Sequence, residues 1–374
     1  MAGAGPLKIL HVLRAPVGGL FRHVVDLARG QAARGHRVGL IADSTTGGTR
    51  ADEALAALAR ELALGALRVP MSRHIGLSDL TAWHRVAGRI AEVDADVVHG
   101  HGAKGGAYAR LARSRAIRVY TPHGGSLHYD RSTAIGLLYL GLERILRART
   151  DLILFESAYA EGVFRAKIGA PRGLVRVVHN GVTPAEFAVV TPGPDATDLV
   201  FVGELRALKG IDVLIEAIGI LAGEGRAVSA TIVGDGLDEA ALKARARTLA
   251  KDAVRFAGPR PARDAFALGR LLVVPSRAES LPYIVLEAAA ASVPLLATNV
   301  GGIPEIVATT SGLVPPGNAG ALARALAAAL DDPAGMVTRA RGLRTRVQAE
   351  FSAENMVSGV LAAYVNTLEF IKQH

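Results

Sequence analysis

Hydrophobic residues in the first half of the chain form short runs that alternate with longer segments of helical period. In residues 20–35, for example, apolar positions recur three and four residues apart, as on one face of a helix. The runs between such segments are apolar at consecutive positions, which is typical of strands buried on both faces of a sheet. They are LKILHVL (7–13), RVGLIAD (37–43), DVVHGHG (96–102), IRVYTPH (117–123), DLILFES (151–157) and LVRVVHNG (174–181). This alternation predicts a parallel sheet covered by helices on both sides.

The pattern starts again after residues 183–198, whose prolines, glycine and polar residues are typical of a linker. The second set of runs is LVFVGEL (199–205), SATIVGDG (229–236), VRFAGP (254–259), LLVVPSR (271–277), PLLATN (294–299) and GLVPPG (312–317). We therefore predict an α/β fold of two Rossmann-like, doubly wound parallel-sheet domains that face each other across a cleft. Ligands in such sheets bind outside the carboxyl ends of the strands. The predicted domains are residues 1–187 and 188–350, followed by a C-terminal segment at 351–374.

Composition narrows the class of protein. A chain of 374 residues with 50% hydrophobic and 21% charged residues is globular and long enough for two cores. It has no cysteine, which excludes disulfides, thiolate metal sites and thiol catalysis, and is compatible with a reducing cytoplasm. The first 13 residues are predicted to form a strand rather than a signal peptide, and no run is long enough to span a bilayer.

Positive charge is concentrated in the first half of the chain. Residues 1–187 contain 25 Lys and Arg against 15 Asp and Glu, whereas residues 188–374 contain 18 against 19. Such a half is suited to an anionic membrane surface, a phosphorylated lipid or nucleic acid. The alternative is an arginine-rich face in contact with water only.

Two cations follow the first run of the second half. Lys209 lies at the start of a predicted helix, and Arg206 lies three residues before it. Two cations at the positive end of a helix repel each other unless an anion lies between them, and a diphosphate would be such an anion. The alternative is that both side chains extend into water beside Glu204.

A pair of glutamates eight positions apart flanks another strand-to-helix turn. Ser276 ends a predicted strand, which puts Glu279 at the edge of the sheet, and Ser280 is predicted to cap a helix that starts near Pro282. Glu287 is the single charged residue in YIVLEAAAAS, and a buried carboxylate needs hydrogen-bond donors. A ribose diol offers two hydroxyl donors, while the alternative partner is an arginine.

Glycines and histidines mark the strand ends of the first half. Gly18 and Gly19 come directly before a predicted helix, where the backbone and the helix N-terminus suit a phosphate, although a tight turn is the alternative. His99 and His101 alternate along one strand like a zinc pair, but no third ligand is evident, so we predict a polar cluster at the end of the strand. His101, together with Lys104, is predicted to face an acceptor.

The sequence DAD (94–96) resembles a metal-binding D-x-D motif. It directly precedes a strand within the alternating pattern, so we interpret it as the entry to that strand, and no metal site is expected.

Taken together, these segments resemble retaining glycosyltransferase family 4, of the GT-B fold and of the bacterial surface-polysaccharide type. The resemblance covers nearly all of the chain. It depends on the order and spacing of the glutamate pair and of VGELRALKG (202–210), IVGDG (232–236), VVPS (273–276), GGIPEIV (301–307) and GLVPPGN (312–318).

The resemblance implies roles for individual residues. Glu279 contacts hydroxyls of the donor sugar, Glu287 holds the nucleotide ribose, and Arg206 and Lys209 bind the diphosphate, while His123 lies near the reacting sugar. The implied catalytic residues are His123, Arg206, Lys209 and Glu279; the implied donor-binding residues are Gly18, Gly19, Gly203, Arg206, Lys209, Ser280, Leu281, Pro282, Tyr283 and Glu287; the implied acceptor-binding residues are Arg22, His101 and Lys104.

Two positions depart from the family pattern. Many relatives have an arginine where this chain has Glu204, so Arg206 is expected to reach the phosphates from two residues further on. Ser280 stands where glycine is frequent, and we expect it to influence donor choice.

The resemblance implies transfer of a hexose from a UDP- or GDP-linked donor to a glycan or a lipid-diphosphate-linked acceptor, with retention and without a metal or other cofactor. The acceptor is expected on the first domain, and the C-terminal helix is expected to return to that domain. The protein is expected in the cytoplasm, and contact with an anionic membrane would fit its basic first half. Residues 134–149 fit an interfacial helix, but a core helix with arginines near its C-terminus is the favoured interpretation.

Two other functions stay open at this stage. A sugar-nucleotide epimerase of the same fold would need no acceptor, although the glutamate pair speaks against it. A non-catalytic protein that binds an anionic ligand such as nucleic acid would use the basic half. Only 5% of the residues are aromatic and none is interleaved with a basic cluster, so nucleic acid is not an expected partner.

Overall fold

The computed structural model describes residues 5–309 and 312–373, which form two compact units. The first unit ends at Gly181 and also contains the chain from Ala353 onward, and the second is Val182–Ser352. The predicted boundary at 187 was therefore too late. Three parts of the chain lie outside the described residues. They are residues 1–4 of the predicted first domain, residues 310 and 311 of the predicted second domain, and residue 374 of the predicted C-terminal segment.

The first unit is built around a seven-stranded parallel sheet with helices between the strands. Its strands are β1 (Lys8–Leu13), β2 (Arg37–Asp43), β3 (Ala66–Val69), β4 (Val97–His101), β5 (Ile117–Thr121), β6 (Leu152–Phe155) and β7 (Leu174–Val177), in the order β3-β2-β1-β4-β5-β6-β7. Its first six helices are α1 (Gly18–Ala32), α2 (Gly48–Glu61), α3 (Ser78–Val93), α4 (Gly102–Leu111), α5 (Ala134–Leu146) and α6 (Ala158–Lys167).

Alternate residues of the central strand β1 enter different cores. Ile9 and Leu13 pack in a core with α1 and α2, whereas Leu10 and Val12 pack in a core with α3 and α4. Both faces of the sheet are therefore buried, which explains why the strand is apolar at consecutive positions. Strand β3 was not predicted, because this edge strand is short and only Val69 in it is fully buried.

The second unit repeats the same architecture on a smaller scale. Its strands are β8 (Thr197–Val202), β9 (Ala230–Val233), β10 (Val254–Phe256), β11 (Gly269–Val274) and β12 (Leu295–Ala297), in the parallel order β10-β9-β8-β11-β12. Its helices are α7 (Ile211–Gly223), α8 (Glu239–Leu249), α9 (Ala262–Phe266), α10 (Tyr283–Ala290), α11 (Ile303–Val307), α12 (Ala319–Asp331) and α13 (Pro333–Glu350). The apolar residues of α7, including Leu214 and Ile218, are buried.

Two predictions in the second unit were wrong. Residues 183–198 are not a linker, because Phe187 and Val190 pack against the core of the second unit. The run at 312–317 is not a strand: it contributes one isolated bridge between Thr298 and Val314, after which two prolines lack the N–H groups that a ladder needs.

The last helix, α14 (Ala353–Gln373), belongs to the first unit. Its buried residues, among them Val357 and Tyr364, join the core that contains β1 and α1. A Cβ atom on Gly30 would lie 2.5 Å from the Val357 side chain, so α1 and α14 approach closely at that glycine.

Candidate functional site

Strands β8 and β11 are neighbours in the second sheet, and the segments after their carboxyl ends lie side by side. Gly203 directly follows β8 and Lys209 lies six residues further, just before α7. Ser276 and Glu279 follow β11. This is the edge of an open α/β sheet where ligands bind, at the point where the strand order reverses.

An ion pair joins the two segments. Lys209 Nζ donates to Glu279 Oε1 at 2.6 Å, and Ser276 Oγ donates to the same oxygen at 2.7 Å. The side chains of Lys209 and Glu279 are 22% and 10% exposed, so the pair is partly open to a ligand.

The two cations predicted to repel each other each have a carboxylate partner. Arg206 Nε lies 3.1 Å from Glu204 Oε2, with both side chains about half exposed at 47% and 56%. An anion between Lys209 and Arg206 is therefore not needed to offset the repulsion between these two cations. The structure brings Lys209, not Arg206, to Glu279.

Two glycines allow the backbone to approach the turn that carries Glu279. Gly210 has a φ of 67°, and a Cβ atom there would lie 2.0 Å from the Pro275 carbonyl oxygen. Gly301 has a φ of 58°, and a Cβ atom there would lie 1.9 Å from the Glu279 carbonyl oxygen. Only glycine avoids both the strained φ and the overlap, so these positions fix the turn.

Helix α10 begins after this turn, but not with the cap that the sequence predicted. Its N-cap is Pro282. The Ser280 carbonyl oxygen instead accepts a hydrogen bond from the Gly302 N–H at 2.6 Å. Leu281 and Tyr283 are buried. Glu287 lies in the second turn of α10 and is partly exposed.

In the first unit, α1 begins at Gly18 itself, so Gly18 and Gly19 form its first turn rather than preceding it. Gly18 has a φ of 67°, which favours glycine. Arg22 follows one turn later, and its Nε lies 3.4 Å from Asp26.

Five imidazoles come together at the carboxyl ends of β1, β4 and β5. His11 lies on β1 and His99 and His101 lie on β4, while His123 follows β5 and His23 lies on α1. Four of them are fully buried, and His123 is partly exposed. His123 has a φ of 50°, which is uncommon for residues other than glycine.

A chain of hydrogen bonds links three of these imidazoles to Gln31. Gln31 Oε1 lies 2.8 Å from His11 Nε2, and His11 Nδ1 lies 3.0 Å from His101 Nε2. His101 Nδ1 in turn lies 3.0 Å from His123 Nε2.

The remaining two imidazoles have partners of their own. His99 contacts the Tyr364 hydroxyl at 2.6 Å and Thr121 Oγ1 at 2.8 Å. His23 Nδ1 lies 2.9 Å from Asn180 Oδ1, whereas its buried Nε2 has no hydrogen-bond partner among the described residues.

Burial keeps these imidazoles neutral. It lowers the pKa of His11 to about 4, although the hydrogen bond of His11 to Gln31 Oε1 raises that pKa. It likewise lowers the pKa of His23 to about 4, with Asn180 acting in the opposite direction. Burial also lowers the pKa values of His99, His101 and His123 well below their usual range. The charged form is disfavoured because it loses its hydration inside the protein.

The predicted acceptor residues are not exposed together. His101 is buried and bonded to two other imidazoles. Lys104 Nζ donates to Ser72 O and Asp79 Oδ1, both at 2.6 Å, and to His74 O at 2.8 Å. His101 is therefore not open to an acceptor as predicted. Lys104 anchors the segment from 72 to 79, and its assignment to the acceptor stays a prediction.

The histidine cluster contains the third metal ligand that was not evident in the sequence. Two groups of three imidazoles have nitrogens within 4.8 Å of one another. They are His11, His99 and His101, and His23, His101 and His123. Three imidazoles are a ligand set of the zinc type. The absence of a metal requirement stays a prediction.

The segment DAD lies where predicted, with Asp96 Oδ2 accepting the Lys8 N–H at 2.7 Å beside β4.

Sequence reasoning missed His11, His23, Gln31 and Asn180. A signal existed for His11, since a histidine within an otherwise apolar strand must find a partner. No local pattern indicated Asn180, which is 157 positions from His23.

Helix α5 is only in part the core helix that we favoured. Leu140 and Leu146 are buried, whereas five other large apolar side chains are exposed, namely Ile135, Leu137, Leu138, Leu142 and Ile145. A cavity of about 590 Å³ beside it is lined by Trp83, Tyr108 and Tyr139, among others. Among the helices of the described residues, none combines the length and apolar character that crossing a bilayer requires.

Comparison with known sequences identifies the family of both units. The sequence profile described as Glycosyltransferase Family 4 matches residues 17–186, and the profile described as Glycosyl transferases group 1 matches residues 196–332. Glycogen synthase of Mycobacterium tuberculosis is 27% identical over 384 residues, which cover 93% of this chain and 91% of that protein. The D-inositol 3-phosphate glycosyltransferase of Kribbella flavida is 30% identical over 306 residues, which cover 73% of this chain and 72% of that protein.

Comparison with solved structures confirms the fold. The crystal structure of Anabaena Alr3699/HepE in complex with UDP and glucose superimposes with a TM-score of 0.79 and 20% identity, over 96% of this chain and 100% of that chain. At this identity the likeness establishes the fold alone.

Proposed function

The chain belongs to glycosyltransferase family 4, and on this premise we propose that it is a retaining hexosyltransferase that needs no metal or other cofactor. It moves a sugar from a UDP- or GDP-linked donor to a glycan or lipid-linked acceptor in the synthesis of a cell-surface polysaccharide. The D-inositol 3-phosphate glycosyltransferases and the glycogen synthase among its relatives support sugar transfer, and the UDP and glucose bound to Anabaena HepE support a nucleotide-sugar donor.

The observation that carries this proposal is the contact of Lys209 with Glu279 at the edge of the second sheet. An ammonium group has three N–H donors, and Lys209 gives one of them to Glu279. The other two suit oxygens of the donor diphosphate. Both described contacts of the Glu279 carboxylate are to Oε1, which leaves Oε2 for hydroxyls of the donor sugar.

The ribose is assigned to Glu287, which is partly exposed. It lies in the second turn of α10, the helix that follows Glu279. One carboxylate can accept from both hydroxyls of a vicinal diol. Gly203, the segment 280–283 and the first-unit residues Gly18 and Gly19 are assigned to the donor by family resemblance. Arg206 is assigned a weaker electrostatic role, because its guanidinium is exposed and paired with Glu204.

The reaction forms a bond between an acceptor oxygen and the anomeric carbon and breaks the bond from that carbon to the diphosphate. The acceptor attacks from the face that the diphosphate leaves, which retains the configuration. The proton of the acceptor hydroxyl passes to the departing phosphate oxygen. Lys209 stabilises the negative charge that develops on this leaving group, and such a preorganised cation contributes more in a water-poor site than in water.

The acceptor is assigned to the first unit beside Arg22 and Lys104, and His123 is assigned to the reacting sugar. Helix α5 supports an acceptor at an anionic membrane surface, because its exposed face carries five large apolar side chains and its C-terminal end is followed by Arg147 and Arg149. Apolar residues beside arginines are typical of helices that lie in the membrane interface.

A thermal-shift panel tests the proposed donor. UDP-, GDP- and ADP-linked sugars are added to the full chain, and one nucleotide class should raise the melting temperature, since a ligand at 100 times its Kd stabilises the folded state by about 2.7 kcal/mol. The same ligand should raise the melting temperature of Lys209→Ala less. Lys243→Ala is the matched control, because Lys243 forms an ion pair of the same 2.6 Å length with Glu239 on α8. The proposal fails if no nucleotide sugar changes the melting temperature of the unsubstituted protein.

A further inference from the structure

The hydrogen-bonded chain Gln31–His11–His101–His123 runs from the interior of the first unit to a partly exposed imidazole. His11 and His101 each use both ring nitrogens in it. Gln31 is 0% exposed, so the chain has one end closed to solvent and one end, at His123, that a ligand can reach.

Each imidazole in this chain is neutral near pH 7, because burial lowers its pKa. A neutral imidazole has one N–H and one bare nitrogen. A hydrogen bond between two ring nitrogens needs one of each. The position of the proton on one imidazole therefore fixes its position on the next.

The carbonyl oxygen of Gln31 can only accept, so His11 carries its proton on Nε2 and has a bare Nδ1. That Nδ1 must accept from Nε2–H of His101, whose Nδ1 is then bare. The bare Nδ1 of His101 accepts from Nε2–H of His123 in the same way. His123 is left with a bare Nδ1.

We propose that Gln31, acting through His11 and His101, sets the tautomer of His123, so that His123 offers a bare Nδ1 as the acceptor for a sugar hydroxyl. Gln31, His11 and His101 are then positioning residues. The hydroxyl as ligand rests on the proposed function, whereas the proton position on His123 does not. The positive φ of His123 supports a role in binding, because a packed structure keeps such a conformation only where it is held in place.

Replacement of Gln31 by Met, which is similar in size and has no carbonyl oxygen, tests the proposal. We expect the ¹⁵N NMR signal of His123 Nδ1 to move from that of a bare nitrogen toward that of a mixture of tautomers, since His11 loses the acceptor that fixes its proton. The turnover number should fall about twofold to fivefold, in proportion to the fraction of competent tautomer, while the KM for the donor changes little. Gln31→Glu keeps an acceptor oxygen at this position and should keep the bare Nδ1 at pH 8.

The path through His11 is tested by a double-mutant cycle. In a His11→Phe background the chain is already broken, so Gln31→Met should have no further effect on the nitrogens of His123. An unchanged His123 signal in Gln31→Met overturns the proposal, and so does an equal change in the His11→Phe background. If Gln31→Met does not fold, His11→Phe alone serves, because it too should give mixed tautomers of His123 and an unchanged signal overturns the proposal. If the His123 signal changes as expected but no nucleotide sugar is ever turned over, the proposed function fails and the tautomer chain stands.

Discussion

The polar groups at the carboxyl ends of the two sheets differ in charge: those of the first unit are neutral, and those of the second unit are charged. Ten of the eleven histidines of the chain lie in the described part of the first unit, and five of them form a neutral, hydrogen-bonded cluster there. The second unit has no histidine and instead places a charged pair, Lys209 and Glu279, at a partly exposed edge.

The difference follows from the cost of burial. A neutral imidazole can be buried when its nitrogens are hydrogen-bonded, whereas a buried charge costs several kcal/mol even when it is paired. The first unit should therefore respond to protons, and the second to charged ligands.

The largest effect is expected at the charged pair. Lys209→Ala should lower turnover about 10²- to 10³-fold, because the leaving diphosphate loses a preorganised cation. Steady-state kinetics with the donor selected by the thermal-shift panel measure this effect. Lys243→Ala, which removes an ion pair on α8, should keep normal turnover. Equal losses in both variants would mean that ion pairing, not the site, matters.

Acid should destabilise the first unit. His11 and His23 have a pKa of about 4 in the folded state and about 6.5 when unfolded, so the unfolded state binds more protons between these values and the free energy of unfolding falls as the pH drops from 6.5 toward 4. From pH 7.5 to pH 5.5 the two residues together should cost about 3 kcal/mol.

The single tryptophan of the chain, Trp83, lies in the first unit, so urea unfolding followed by its fluorescence reports on that unit. Replacement of the exposed His74 by Gln should leave the pH dependence unchanged. A free energy of unfolding that stays constant down to pH 5.5 would contradict the neutral cluster.

Glu287→Ala should weaken nucleotide binding about tenfold, because a charged acceptor for the ribose hydroxyls is lost. Isothermal titration calorimetry with the free nucleoside diphosphate measures this directly. Glu239→Ala, on α8, is the control and should bind normally. Unaltered affinity in Glu287→Ala would remove the ribose assignment.

The smallest effect is expected at Arg206. Its ion pair with Glu204 is exposed, and such pairs contribute about 1 kcal/mol or less, so Arg206→Ala should lower turnover no more than about fivefold. A loss as large as that of Lys209→Ala, measured in the same assay, would show that Arg206 leaves Glu204 and binds the diphosphate.

The sequence was sufficient for those parts of the fold that depend on local pattern. Consecutive apolar runs located most strands, because a strand buried on both faces, such as β1, is apolar throughout. The same reasoning placed Lys209 and Glu279 just after strands. That they touch could not be predicted, since they are 70 positions apart and meet only because β8 pairs with β11.

Where prediction failed, tertiary contacts outweighed local preference. Ser280 is a good helix cap in isolation, but its carbonyl bonds to Gly302 and the helix starts at Tyr283. His101 was expected to face an acceptor, but it is buried between His11 and His123. The histidine cluster was only half visible, because His11 and His101 are 90 positions apart and are joined through the pairing of β1 with β4.

Hydrogen exchange read by mass spectrometry, with and without the selected nucleotide sugar, tests the central claim most directly, because it reports where the donor binds. We expect slower amide exchange in segments 203–210 and 276–287, and weaker protection of both segments in Lys209→Ala. Protection absent from both segments, at a concentration that raises the melting temperature of the unsubstituted protein, would contradict this claim.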